Sequence, residues 1–204
     1  MATSLLDIVN LTLDDLGEPR ATSIDDESSW VERLVDIVPA RARLLLADYP
    51  WNFAEKLFQL AGSEPTPDDW ALGCPKPPTW LRTNVVRESA DPEGEDIPYT
   101  DRGSRILINA SGGWLWYVDA EYIDLIGAWP QTFCDAVAAH SALAAAPSTS
   151  TSKEKTDRLE RLVRFRTAKA QTWDAQQKPM RRPSIGNWAR ARLRGTALRD
   201  GRRG

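Results

Sequence analysis

Charge is segregated along this chain. Residues 153–204 carry 16 Lys or Arg against 5 Asp or Glu, whereas residues 1–152 carry 10 against 24. A formal total of −3 therefore conceals an acidic body of −14 and a basic end of +11. The division sharpens over 178–204, where Lys178-Pro-Met-Arg-Arg-Pro-Ser-Ile-Gly-Asn-Trp-Ala-Arg-Ala-Arg-Leu-Arg opens the segment and Asp200 is its only acid. Side chains of that kind are not taken into an apolar core unpaired. The fold must therefore be built from residues 1–177, leaving 178–204 as a basic arm for an anionic partner.

With 204 residues and 42% hydrophobic side chains, the remainder is long enough for a real core. No apolar run approaches the roughly 20 residues of a membrane span, and the first residues lack a cationic start and a cleavage site. Two cysteines, Cys74 and Cys134, cannot build a disulfide framework, so a reducing cytosol is the expected place of synthesis.

Apolar periodicity predicts helices over 4–17, 28–60, 131–146 and 152–177. Ser4 and Asp7 frame the first, and Gly17 and Pro19 stop it. Pro39 predicts a kink or break in the second, with a short helical piece over 51–60. Prolines 65, 67, 75, 77 and 78 predict mostly irregular chain over 62–80. A β insertion is expected over about 81–124. In it, Arg105-Ile-Leu-Ile-Asn and Trp114-Leu-Trp-Tyr-Val flank Ala-Ser-Gly-Gly as a hairpin. Pro130 opens the third helix and Thr151-Ser-Lys-Glu154 caps the fourth. The expected class is mainly α: a helical bundle with an inserted small antiparallel sheet and an extended C-terminal arm, in which 1–177 is one body.

Motifs for chemistry are sparse. Neither a phosphate-cradling glycine loop nor a nucleophile elbow occurs. The lone His140 sits in an Ala-rich helix and reads as a core or interface residue. Cys74 and Cys134 lack the spacing of a zinc site and read as buried thiols. Asp91, Glu93, Glu95 and Asp96 fit no calcium loop, and Asp119, Glu121 and Asp124 read as solubility or channel-lining groups. No enzyme, metal or cofactor is expected. Nine tryptophans are many for this length; most read as core, with some of Trp80, Trp114, Trp116 and Trp129 meeting neighbouring subunits.

The arm admits three readings: a solvated tail, a nucleic-acid grip or a segment that docks on an acidic protein. Arginines offer phosphate contacts and Trp188 a stacking face, yet the −14 body would repel a duplex lying across it. Met180, Ile185, Trp188, Leu193 and Leu198 are interleaved with the charges. Counterion release has no use for such anchors and a protein groove does, which favours protein docking. Arg181, Arg182, Ile185, Trp188, Arg190, Arg192, Leu193, Arg194 and Arg199 are the candidate docking residues. Extended, 27 residues reach about 90 Å, and ordering them costs about 1–2 kcal/mol each. The arm is thus expected to order only on its partner, and ring formation to wait for it.

Four stretches carry a resemblance. Leu5-Leu-Asp-Ile-Val-Asn-Leu-Thr-Leu-Asp-Asp-Leu-Gly-Glu-Pro opens the chain, and Leu46-Ala-Asp-Tyr-Pro-Trp-Asn-Phe-Ala-Glu-Lys includes Trp51, Asn52, Phe53 and Ala54. Later come Arg105-Ile-Leu-Ile-Asn and Trp129-Pro-Gln-Thr-Phe-Cys-Asp-Ala-Val-Ala-Ala, with Trp129 and Pro130. In this order they resemble phage head-to-tail connector adaptors of the tail tubular protein A type. The resemblance implies a virion structural protein without catalysis, assembled in the host cytoplasm and placed in the neck. It implies a homo-oligomeric, dodecameric ring under the portal protein, joined to tail or nozzle proteins, with a C-terminal segment that binds the portal. Genomic DNA would pass through without specific binding, along an acidic lining, and no membrane is involved. The alternative is a DNA-binding protein that uses the arm.

Overall fold

The computed structural model describes residues 4–26, 28–62, 70–146 and 152–177. Helix α1, Leu5–Leu16, begins where the sequence says. Ser4 Oγ accepts the Asp7 N–H at 3.3 Å while Asp7 accepts the Ser4 N–H at 3.0 Å. Gly17, at φ +72°, ends the helix, and the Glu18 N–H returns to the Leu13 carbonyl. Helix α2, Ser29–Asp48, runs through Pro39 as one assigned helix. After the β region, Pro130 stands just before α3, Gln131–Ala145, and α4 spans Lys153–Gln177. Ser152 Oγ accepts the Lys155 N–H at 3.3 Å; Thr151 lies outside the described residues.

Nine of the fifteen residues of α3 are buried, among them Phe133, Val137, Ala138, Ala139, Ala142 and Ala145. Small side chains on several sides let α1, α2 and α4 all pack against it. It is the central post of the helical half. His140 follows from that position: its Nε2 lies 3.0 Å from Thr167 Oγ1 of α4, and burial, then Arg41, lowers its pKa.

The mainly-α expectation is overturned. Between α2 and α3 lie six strands in two three-stranded antiparallel sheets, which make the described chain a mixed α and β fold. They are β1 Glu55–Leu60, β2 Leu72–Pro75, β3 Trp80–Arg87, β4 Tyr99–Arg102, β5 Arg105–Ile108 and β6 Gly113–Asp119. One sheet has the order β1-β6-β3 and the other β2-β5-β4. Leu60, Val86, Leu115 and Tyr117 of the first close on Cys74, Ile106 and Ile108 of the second, a core distinct from that of the helices.

Two local expectations fail for identifiable reasons, and a third is refined. Residues 55–60 are strand, not helix, because Glu55–Leu60 pairs along its whole length with β6, from Glu55 opposite Val118 to Leu60 opposite Gly113. Long-range pairing overrides a run whose own spacing fits a helix equally well. The strands over 105–109 and 114–118 do not form a hairpin with each other. β5 turns back on β4 through Gly103, at φ +59°, and Ser104, whereas β6 crosses to the centre of the other sheet. Within the proline-rich stretch, Leu72–Pro75 is a strand, and Pro75 takes the last position of an edge, where its missing N–H is tolerated.

Both thiols are buried, as expected, and neither is in a disulfide. Burial pushes the Cys134 thiol up to about 12 and raises that of Cys74. Of the tryptophans, Trp51 and Trp129 are fully buried, Trp80, Trp114 and Trp116 are half-buried, and Trp173 is exposed. Trp188 lies outside the described residues.

Candidate functional site

The segment 51–54 leaves α2 and enters β1. Pro50 ends the helical backbone, and Trp51 turns back so that its Nε1 donates to the Leu45 carbonyl at 2.6 Å, one of the carbonyls a helix end leaves open. Its ring meets Tyr49 and Phe133 edge-on at centroid distances of 4.8 and 4.9 Å. Phe53 packs 5.0 Å from Phe133 and 6.1 Å from Tyr122. Trp129 approaches Phe133 from another side at 5.1 Å and donates its Nε1 to the Tyr122 carbonyl. Pro130 starts α3, its carbonyl accepting the N–H groups of Phe133 and Cys134. Ala54 is wholly buried and its carbonyl accepts the Asp119 N–H at 3.1 Å. Four of the six motif residues, Trp51, Phe53, Trp129 and Pro130, thus gather around Phe133.

Asn52 does something the sequence reading missed. Its backbone N–H donates to both carboxylate oxygens of Asp174, at 3.0 and 2.9 Å, and its Nδ2 donates to the Asp174 carbonyl at 2.7 Å. Asp174 is 1% exposed and lies in the last turn of α4. Nearer the start of α4, Arg166 holds Asp15 of α1 through two bonds of 2.5 and 2.9 Å, and Arg158 donates to the Asp15 carbonyl. Burial pushes the Asp15 carboxyl up by more than the Arg166 bonds draw it down. Between them, Asp15 and Asp174 fix where α4 lies.

Beside the junction, Asp119 ends β6. It accepts the Glu121 N–H at 2.8 Å and the Tyr117 hydroxyl at 3.1 Å, with Lys56 Nζ 3.0 Å away. Burial pushes its carboxyl up, but the Glu121 N–H, Lys56, Thr79 and Tyr117 together outweigh that and leave it below the ordinary value. A depressed carboxylate stabilises the fold above its unfolded pKa, and that gain is lost as pH falls through the folded pKa. Asp119→Asn should therefore cost about 2 kcal/mol at pH 7, as for a bond set to a charged acceptor, and progressively less in acid. Urea unfolding at pH 7 and pH 3 checks this; an equal cost at both would refute it. Geometrically, Asp119 is a structural acceptor rather than one of a row with Glu121 and Asp124.

The nine candidate docking residues, Arg181, Arg182, Ile185, Trp188, Arg190, Arg192, Leu193, Arg194 and Arg199, lie outside the described residues. In the 91–96 loop, Asp96 pairs with Arg87 at 3.0 Å, while Asp91 and Glu93 are exposed. Among the described residues, no group of three His, Cys, Asp or Glu is placed to hold a metal ion. No described helix is long and apolar enough to cross a membrane. Compared with known proteins, the chain matches no family model and no curated sequence.

Proposed function

We propose that this chain is a structural head-to-tail connector of a phage: copies form a ring beneath the portal, join it to tail or nozzle proteins and continue the DNA channel. The observation that carries this reading is the convergence of its motif segments. Residues 51–54 and 129–130, from two of the segments that carry the resemblance, meet through Phe133, and Asn52 bonds the last turn of α4. That turn is followed in the sequence by a segment with nine cations, one acid and interleaved apolar side chains. A fixed base and a long basic strap suit attachment to an acidic, grooved neighbour better than turnover of a substrate. Imaging of purified particles tests the reading: the chain is expected as a ring under the portal vertex, and its placement elsewhere in the particle, or its absence, overturns it.

The charge of 178–204 also favours a second reading, a DNA-binding protein without catalysis. Binding to duplex DNA as a function of salt separates the two. A grip on DNA gives tight binding, with log K falling by about 0.9 per phosphate neutralised for each decade of salt. The connector reading expects only weak association, because the body carries −14 over residues 1–152.

A further inference from the structure

Two surfaces away from the junction carry complementary chemistry. The first is the outward side of α4. Phe165 is 66% exposed there, more than any other large apolar side chain among the described residues. Arg161 and Lys169 lie one turn to either side of it and Arg164 adjoins it. Glu160 pairs with Arg164 at 3.6 Å, and both face solvent. The second surface is an open groove of about 530 Å³ between the 24–26 loop and the first half of α2. Ile24 and Val35 are its half-buried apolar lining, and Asp25, Asp26, Glu32 and Asp36 stand exposed around them. No cation lines it. Helices α2 and α4 both pack on α3, and within one chain Phe165 stays uncovered while the groove stays open.

We propose that the groove of one copy receives the α4 face of a second copy. Phe165 seats over Ile24 and Val35, and Arg161, Arg164 and Lys169 meet Asp25, Asp26, Glu32 and Asp36. Three cations around one aromatic match four carboxylates around an apolar floor, and that complementarity selects the occupant. The basic 178–204 segment is the competing occupant, but its docking would leave Phe165 exposed on a rigid helix. Because the two surfaces differ, the contact is heterologous: it repeats head to tail and closes into a ring where the rotation allows. This inference rests on the ring-building reading above and names the faces that mate.

Disulfide trapping in the full chain tests it. Cys74 and Cys134 are 0% exposed, so introduced thiols react alone. Ala168→Cys, one turn beyond Phe165, is mixed with Asp36→Cys on the groove rim under mild oxidation at low salt. A mixed dimer is expected, and a chain carrying both substitutions should give a ladder of multiples. Arg161→Glu with Arg164→Glu should cut the mixed dimer about tenfold, and Asp25→Lys with Asp26→Lys in the other copy should restore it. The proposal is overturned if the yield only equals that of a Ser89→Cys control, if Ala168→Cys pairs chiefly with itself, or if removing 178–204 abolishes the mixed dimer. Particles that hold the chain under the portal without the ladder overturn this interface and spare the connector reading. A ladder from a chain that particles never incorporate overturns the connector reading and spares the interface.

Discussion

A chain ending at Gln177 should fold normally and be lost from particles, with incorporation falling roughly a hundredfold or more. The size follows from how binding energy is distributed. Anchor residues each contribute about 2 kcal/mol or more at an interface, and every 1.4 kcal/mol is a factor of ten. The removed segment holds Ile185, Trp188 and Leu193 together with nine cations. Losing even two anchors accounts for a hundredfold, before the charge-assisted bonds of its arginines are counted. The body should not notice, because α4 is fixed by Asp15 and Asp174, both N-terminal to the cut. Thermal unfolding of the truncated chain should stay within about 4 °C of the full chain, a change of roughly 1–2 kcal/mol at this size. Trp188→Ala should reproduce part of the loss, whereas reversing one terminal arginine should mainly change salt dependence. Quantifying the chain in purified particles decides it: equal incorporation with and without 178–204 ends the connector account.

What could be read in advance was local. Ser4, Asp7 and Gly17 define both ends of α1 within one short stretch, so its limits follow from side chains that bond their own backbone. Pro130, whose ring fixes φ at the helix start, and the Ala-rich run after it mark α3 without any side-chain cap. The β region was legible as strand and illegible as topology. Apolar runs at 105–109 and 114–118 mark strands, but the partner of each is chosen by which faces need covering. Sequence neighbours were paired in expectation, whereas β6 lies beside β1, whose first residue is 58 positions earlier than its own. That distance also hid the strand at 55–60, since nothing near it shows what it pairs with. Asp174 is different, because its signal was there. A carboxylate in the last turn of a helix faces the negative end of the dipole, so its presence in the basic α4 pointed to a partner elsewhere. Likewise Trp51, Asn52, Phe53 and Ala54 stood out as a motif, while their meeting with Trp129 through Phe133 needed the fold.

That meeting makes Asp174→Ala the most damaging single change at the junction that leaves every aromatic ring in place. The substitution removes an acceptor that takes the Asn52 N–H with both oxygens and the Phe53 N–H at 3.4 Å. Two backbone donors are left partly buried without replacement, since neither belongs to a helix or strand. Unsatisfied donors of this kind cost about 1–3 kcal/mol each, and a bond to a charged group about 1.5–3. A loss of about 3 kcal/mol is therefore expected, which at this chain length lowers the melting temperature by roughly 6–12 °C. Asp174→Asn keeps one acceptor oxygen and should recover about half of it. Hydrogen exchange should quicken in the last turn of α4 while α1, held by its own caps, stays protected. Asn52→Ala removes a different bond, from Nδ2 to the Asp174 carbonyl, and should cost about 1 kcal/mol more at the same helix end. A melting shift below about 2 °C for Asp174→Ala would mean that the end of α4 is held by aromatic packing alone. In that case the motif segments would not set where the basic segment starts, and the reading of 51–54 as its anchoring base would have to be given up.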